Sequence, residues 1–264
     1  MLTRTLLITL MIAGAWRCTD DDRLPMISDT FLEAAVGIDE EERLLLYNES
    51  GYNSPRSAIS LDDSPIALVA PDSLIEIGSP YAATWRDEPY TFYKTQFPII
   101  KIQSERGQIT EKRYASAKLA VIDDGEIVLS SNLGIKLRGN TSLGFSKKSY
   151  RLELWEDESG TTTRQERILG MRKDDDWLLD GMWNEPLSIR DMTAMEIWLA
   201  YGRGGQDTGD EETRLGAERA YCELFVDGRY QGIYYIGERL DKKQLRLEDY
   251  SGAGSGGELY KAKG

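Results

Sequence analysis

Asp227-Gly228 lies between two β-rich runs, Ala220–Asp227 and Tyr230–Glu238, and this dipeptide constrains the fold more than any other feature of the chain. Asp and Gly tolerate the left-handed backbone that a two-residue hairpin turn requires, so the flanking runs must pair antiparallel. Phe97–Gln103, Ala117–Asp123, Gly134–Arg138 and Lys148–Trp155 read as further strands. In the last of these, Tyr150, Leu152 and Leu154 alternate with Arg151 and Glu153, so the even positions face a core and Lys148 falls on the same side. Ser188–Gly202 is the clearest helix: Ser188 and Asp191 have capping-box spacing, and Ile189, Met192, Met195 and Leu199 form a helical stripe. The expected class is α+β, mainly antiparallel sheet with a few helices.

The chemistry open to such a chain is narrow, because it contains no histidine among its 264 residues. Ser-His-Asp and Cys-His catalysis, His-ligated zinc and imidazole proton shuttling are therefore excluded. Cys18 and Cys222 are the only cysteines, too few for a disulfide framework or a thiolate zinc site. The formal charge of −13 argues against nucleic acid as a partner, since phosphate binding needs a positive field.

Residues 1–17 read as a signal peptide. Arg4 provides a basic start, and Thr5–Trp16 is an apolar stretch too short to span a bilayer. Cys18 followed by Asp20-Asp21-Asp22 resembles a bacterial lipoprotein signal with a surface-export motif, which implies lipidation of Cys18, export, and a membrane-anchored place in the periplasm or on the outer cell surface. Residues 18–63 are expected to be an acidic stalk with one short helix at Asp29–Tyr47, and residues 64–96 a strand-rich lead-in. Gly202–Gly216 reads as a polar loop, Ser251–Gly257 as a Gly/Ser-rich stretch and Glu258–Lys261 as the start of a strand.

Between Ile127 and Leu152 the charge inverts locally, with Lys136, Arg138, Lys147, Lys148 and Arg151 and no acidic residue. These bracket the small polar loop Gly139-Asn140-Thr141-Ser142-Leu143-Gly144. A glycine loop lets backbone N–H groups approach an anion that Lys and Arg neutralise. A hairpin turn with solvated basic residues fits the same composition. The loop leads to a strand with no Lys-Ser/Thr directly after it, so it is not a P-loop. Asp174-Asp175-Asp176 reads either as a metal cluster or as a turn capping the approach to a buried Trp177.

Arg138-Gly139-Asn140-Thr141-Ser142 and Lys147–Leu152 resemble the signature of the spore-coat protein H (CotH) kinase family. Leu169–Leu179, Ser188–Asp191, Glu223–Tyr234 and Glu238–Asp241 are similar in the same order. The resemblance covers residues 97–264, as the N-terminal part of such a domain. It implies an atypical protein-kinase-like fold that binds ATP with Mg or Mn and phosphorylates Ser-rich surface or secreted proteins. A non-catalytic surface scaffold with the same fold is the alternative. It further implies a nucleotide site made of Arg138, Gly139, Asn140, Thr141, Ser142, Lys147, Lys148, Arg190 and Glu238, with Lys148 on the phosphates. The family's catalytic and metal-binding aspartates are expected beyond Gly264, so no metal ligand is assigned in this chain and the chain alone is expected to be inactive.

Overall fold

A computed structural model describes residues 35–49, 60–61, 64–68, 75–105, 109–205, 216–241 and 243–244, together with Leu32. The signal-like segment, Cys18, the polar loop after Gly205 and the chain after Gln244 lie outside the described residues.

Two β layers make up the described protein. The first contains β1 (Gly37–Asp39), β2 (Leu44–Asn48), β3 (Ser60–Leu61), β4 (Ser64–Pro65), β5 (Ala67–Leu68), β6 (Pro80–Trp85) and β7 (Glu88–Thr95). Five of these form a sheet in the order β1-β2-β7-β6-β5, and β3 pairs only with β4. The second layer contains β8 (Ile99–Ser104), β9 (Ala115–Asp123), β10 (Glu126–Arg138), β11 (Ser149–Trp155), β12 (Glu166–Arg167), β13 (Lys173–Asp174), β14 (Asp176–Asp180), α1 (Arg190–Gly205), β15 (Arg219–Val226) and β16 (Arg229–Glu238). Its seven long strands close into a barrel, β10-β11-β14-β16-β15-β8-β9, while β12 and β13 form a separate ladder.

This corrects the expected α+β, kinase-like class: the protein is mostly β, around a closed barrel with one helix among the described elements. Closure is the physical difference. β8 pairs antiparallel with β9 on one side and parallel with β15 on the other, so the sheet has no free edge there. Register shifts at Ile127/Leu129 and Leu224/Phe225 supply local bends of the kind that curl a sheet. Gly134 lets β10 approach the Trp155 ring, because a Cβ there would lie 2.2 Å from its Cζ2.

The alternation read in residues 148–155 holds: Tyr150, Leu152 and Leu154 enter the barrel core with Leu133, Ile135, Trp177, Leu224 and Tyr234. Asp227-Gly228 makes the expected turn, with φ of 51° and 72° between paired Val226 and Arg229. The same device at Asp124-Gly125 joins β9 to β10.

Residues 29–47 are not one helix, since β1 and β2 occupy 37–39 and 44–48. Their acidic run, Glu40–Glu42, is the exposed turn between them, whereas Ile38, Leu45, Leu46 and Tyr47 are buried. Asp39 is also buried. It accepts the N–H groups of Glu41 and Glu42, and that of Tyr230 on the barrel at 2.9 Å. The first sheet thus rests on the outer barrel wall through Leu46, Ile99, Ile122 and Phe225. That second packed face explains why Ile99 is buried as fully as Ile100 and Ile102, which face the barrel core.

Helix α1 starts at Arg190 and is held at its N-terminus by Glu185, which accepts the Arg190 N–H, rather than by the Ser188–Asp191 pair. Met192 is buried, but Ile189 lies half exposed, so the expected stripe is only partly covered. No helix among the described residues is long and apolar enough to cross a membrane.

Candidate functional site

The loop between β10 and β11 is built around Gly139. Its φ is +131°, a backbone that a residue with a side chain adopts only under strain, and a Cβ there would displace Ser142 Oγ, which lies 1.8 Å away. After Asn140 the chain makes a 3-10 turn over Thr141–Gly144, closed by the Phe145 N–H donating to Ser142 O at 3.1 Å. Lys148 fastens this turn from below, its Nζ donating to Leu143 O at 2.7 Å. Lys147 crosses to β16, where it donates to Ile233 O and stands 4.5 Å from the Tyr234 ring centre. Burial lowers the Lys147 pKa below the ordinary lysine value, and nearby Cys222, Glu223 and Asp180 offset only part of that.

The facing wall is the segment after β14. Asp180 Oδ2 accepts from Arg138 at 3.0 Å, and its Oδ1 accepts the Met182 N–H at 2.9 Å. The Gly181 N–H donates to Ser149 Oγ at 3.1 Å, which ties this segment to the first residue of β11. Met182 and Ser188 both have left-handed backbones, with φ of 51° and 52°. Such strain persists only where the surroundings enforce it, and it gathers at functional sites. Burial pushes the Glu185 carboxyl up, but the Arg190 N–H and guanidinium outweigh this and hold it below the usual glutamate value.

Between the two walls, Thr141, Ser142 and Lys147 line a cavity of about 370 Å³ with Asp180, Trp183 and Asn184. A second cavity of about 470 Å³ shares Asp180 and Asn184 with it and is also lined by Arg190, Glu185 and Asp191. The structure therefore brings Thr141, Ser142 and Lys147 together, places Arg138 beside them through Asp180, and puts Arg190 in the adjoining cavity. Gly139 and Asn140 shape the turn. The ammonium of Lys148 is engaged with the loop's own backbone, although strand alternation alone points the residue inward.

Glu238 lies apart from this cluster. It pairs with Trp177 at one end of β14, whereas Asp180 at the other end pairs with Tyr235. It is buried and accepts the N–H groups of Arg172 at 2.7 Å and Glu218 at 3.1 Å. Sequence reasoning did not find Asp180, Trp183, Asn184 or Glu185. The available signal was the run Gly181–Ser188 between a strand and a helix, whose left-handed positions carry no glycine.

Asp174-Asp175-Asp176 forms a turn inside an ion-pair network. Asp174 Oδ1 accepts the N–H groups of Asp175 and Asp176, and its carbonyl accepts from Trp177 Nε1 at 3.2 Å. Arg172 and Lys243 pair with Asp174, Lys243 also pairs with Asp175, and Arg151 and Arg239 pair with Asp176. Among the described residues no three acidic or sulfur ligands converge on a point that could hold a metal ion. They do not by themselves make a site for Mg or Mn. Cys222 is a buried thiol on β15, and burial pushes its pKa up.

The cleft is electrically mixed, with Arg138, Lys147 and Arg190 set against Asp180, Glu185 and Asp191. Cations beside loop hydroxyls can grip a phosphate, while the carboxylates limit the affinity for a bare anion. A search of curated proteins finds no match to the chain. The family comparison does, and its match opens inside β10 and takes in both walls of the cleft. Residues 135–264, just under half of the chain, match the family model described as CotH kinase protein, the family that the motifs from Arg138 to Asp241 resemble.

Proposed function

We propose that this protein is an exported CotH-type kinase that holds the phosphates of ATP in the cleft between the 139–148 loop and the 181–191 segment. The phosphoryl group goes to serine hydroxyls of surface or secreted proteins. One observation carries the reading: Thr141, Ser142 and Lys147 line a single cavity inside the segment that matches the family. Two hydroxyls and an ammonium offer donors to phosphate oxygens, and Arg138 stands one ion pair away on Asp180.

The test uses the full-length gene product, whatever it carries after Gly264, with labelled ATP, Mg or Mn, and a Ser-rich acceptor protein. Lys147→Ala is expected to cut phosphate incorporation by at least ~10-fold, because a charge-assisted hydrogen bond contributes about 1.5–3 kcal/mol. Lys148→Ala is expected to cost less, since its ammonium is already turned onto Leu143 O. Unchanged transfer in Lys147→Ala removes the phosphate assignment. The charged ammonium is the binding form and its pKa is lowered, so nucleotide affinity should fall with rising pH sooner than for an ordinary lysine.

A specific feature favours a second reading, a non-catalytic binding scaffold. Arg138, Lys147, Lys148 and Arg190 each already have an acceptor within the protein. Nucleotide binding without transfer to any acceptor would select it.

The cellular place follows from Cys18, which lies outside the described residues. Lipidation predicts that Cys18→Ser moves the protein from the membrane fraction to the soluble fraction. Retention in the membrane fraction counts against the anchor.

A further inference from the structure

Helix α1 carries apolar stripes on two opposite faces. Met192, Met195 and Leu199 form the inner one. Met192 is buried against Met182 and Tyr235, and a Cβ on Gly216 would lie 3.1 Å from both Met195 Sδ and Leu199 Cδ2. Ala194, Ile197, Trp198 and Tyr201 form the outer one, at the i, i+3, i+4, i+7 spacing that puts four side chains on one helix face. All four are exposed, Ile197 by 64%, Trp198 by 56% and Tyr201 by 81%. At those exposures the three large side chains leave roughly 400 Å² of mainly apolar surface in water, taking about 150–250 Å² for a whole side chain of this size. A contiguous patch of that extent is often a functional surface.

We propose that the outer stripe of α1 is a self-association surface, covered by the same stripe of a second copy of the chain. A two-fold axis crossing the helix between Ile197 and Trp198 sets the two helices antiparallel. Ile197 of each copy then lies level with Trp198 of the other, and Ala194 with Tyr201. The small residue thus meets the most exposed ring, the alternation that lets facing side chains interdigitate. Charge on the first turn does not compete for the stripe, because Arg190 is paired with Glu185 and Asp191 with Arg219. A standard interface buries about 800 Å² per partner, so this smaller one gives a dimer of micromolar rather than nanomolar strength. Each copy carries a formal charge of −13, so added salt screens their repulsion and tightens the dimer.

The test is analytical ultracentrifugation of the full-length gene product carrying Cys18→Ser, so that an acyl chain at that position cannot contribute. A monomer–dimer equilibrium is expected between about 1 and 100 µM, shifted toward dimer by salt. Tyr201→Glu is expected to weaken it at least ~10-fold, since exposed aromatic anchors carry most of such an interface. Ala194→Tyr should weaken it as well, by setting ring against ring. Combining Ala194→Tyr with Tyr201→Ala returns small opposite large and should restore the dimer, which a merely structural role does not predict. A dimer indifferent to Tyr201→Glu, or a double variant no better than Ala194→Tyr alone, overturns the pairing. An unaltered stripe that leaves the protein monomeric throughout also overturns it, and flotation of that monomer with phosphatidylcholine vesicles would assign the stripe to a membrane surface instead.

Discussion

Replacing Asp174 with alanine is expected to lower the melting temperature by about 10 °C. The carboxylate is 1% exposed and pairs with Arg172 and Lys243. It also holds two backbone N–H groups of its own turn. Breaking a buried pair from one side leaves the partner charge uncompensated, at a cost of about 3–5 kcal/mol. For a domain of roughly 150–250 residues each kcal/mol moves the melting point about 2–4 °C. Arg172 stands at 11% side-chain exposure, so it cannot simply return to water. A shift below about 2 °C by circular dichroism would show that the network behaves like a surface ion pair.

The same network sets an acid limit on stability. Burial raises the Asp175 pKa, but hydrogen bonds from Lys243 and its neighbours overcome this and hold it at about 2, against 3.8 ordinarily. A carboxyl with a depressed folded-state pKa contributes stability above its unfolded value and loses it as pH falls through the folded one. Stability should therefore decline between about pH 4 and pH 2, and Asp175→Asn should flatten that part of the profile.

The second large effect is expected at the junction of the two β layers. Phe225 is fully buried, facing away from the barrel interior, with Tyr230 beside it at 5.2 Å between ring centres. β1 crosses directly over the ring, since a Cβ on Gly37 would lie 2.3 Å from Phe225 Cε2. Phe225→Ala is expected to cost about 3–5 kcal/mol through lost burial and the cavity left behind. The loss should be local first. Amide exchange in β1, β2 and β7 should accelerate more than in β11, because the first sheet loses its main apolar contact while the barrel core keeps its own. Unchanged exchange in 37–48 would show that the sheet is held by its polar contacts, such as Asp39 to the Tyr230 N–H and Thr95 Oγ1 to Glu223 at 2.9 Å.

Much of the barrel wall was legible in the amino-acid order. Strands appeared where apolar residues alternate, and the hairpin at Asp227-Gly228 where a turn demands left-handed residues. β14 was not legible, because Asp174-Asp175-Asp176 masks a strand that begins at the third aspartate. β1 and β2 were hidden by Glu40–Glu42, whose charges belong to a turn between two buried strands. In the site, the basic inversion at 136–151 singled out a loop whose Thr141 and Ser142 line the cleft. It did not reveal which cations face the cavity.

The order of residues by itself determined the local pieces: the hairpins, the inward parity of Tyr150, Leu152 and Leu154, and the glycine turn at Gly139. Each depends on backbone preferences and side-chain periods that act over a few positions. Only the tertiary structure decided that the strands close into a barrel, through the parallel pairing of Glu223 with Ile99. It also decided that Lys147 rather than Lys148 reaches the cleft, and that Asp180 and Trp183 share it. Those outcomes rest on pairings between distant segments, whose free energy comes from burial and hydrogen bonds that no short stretch of chain can supply.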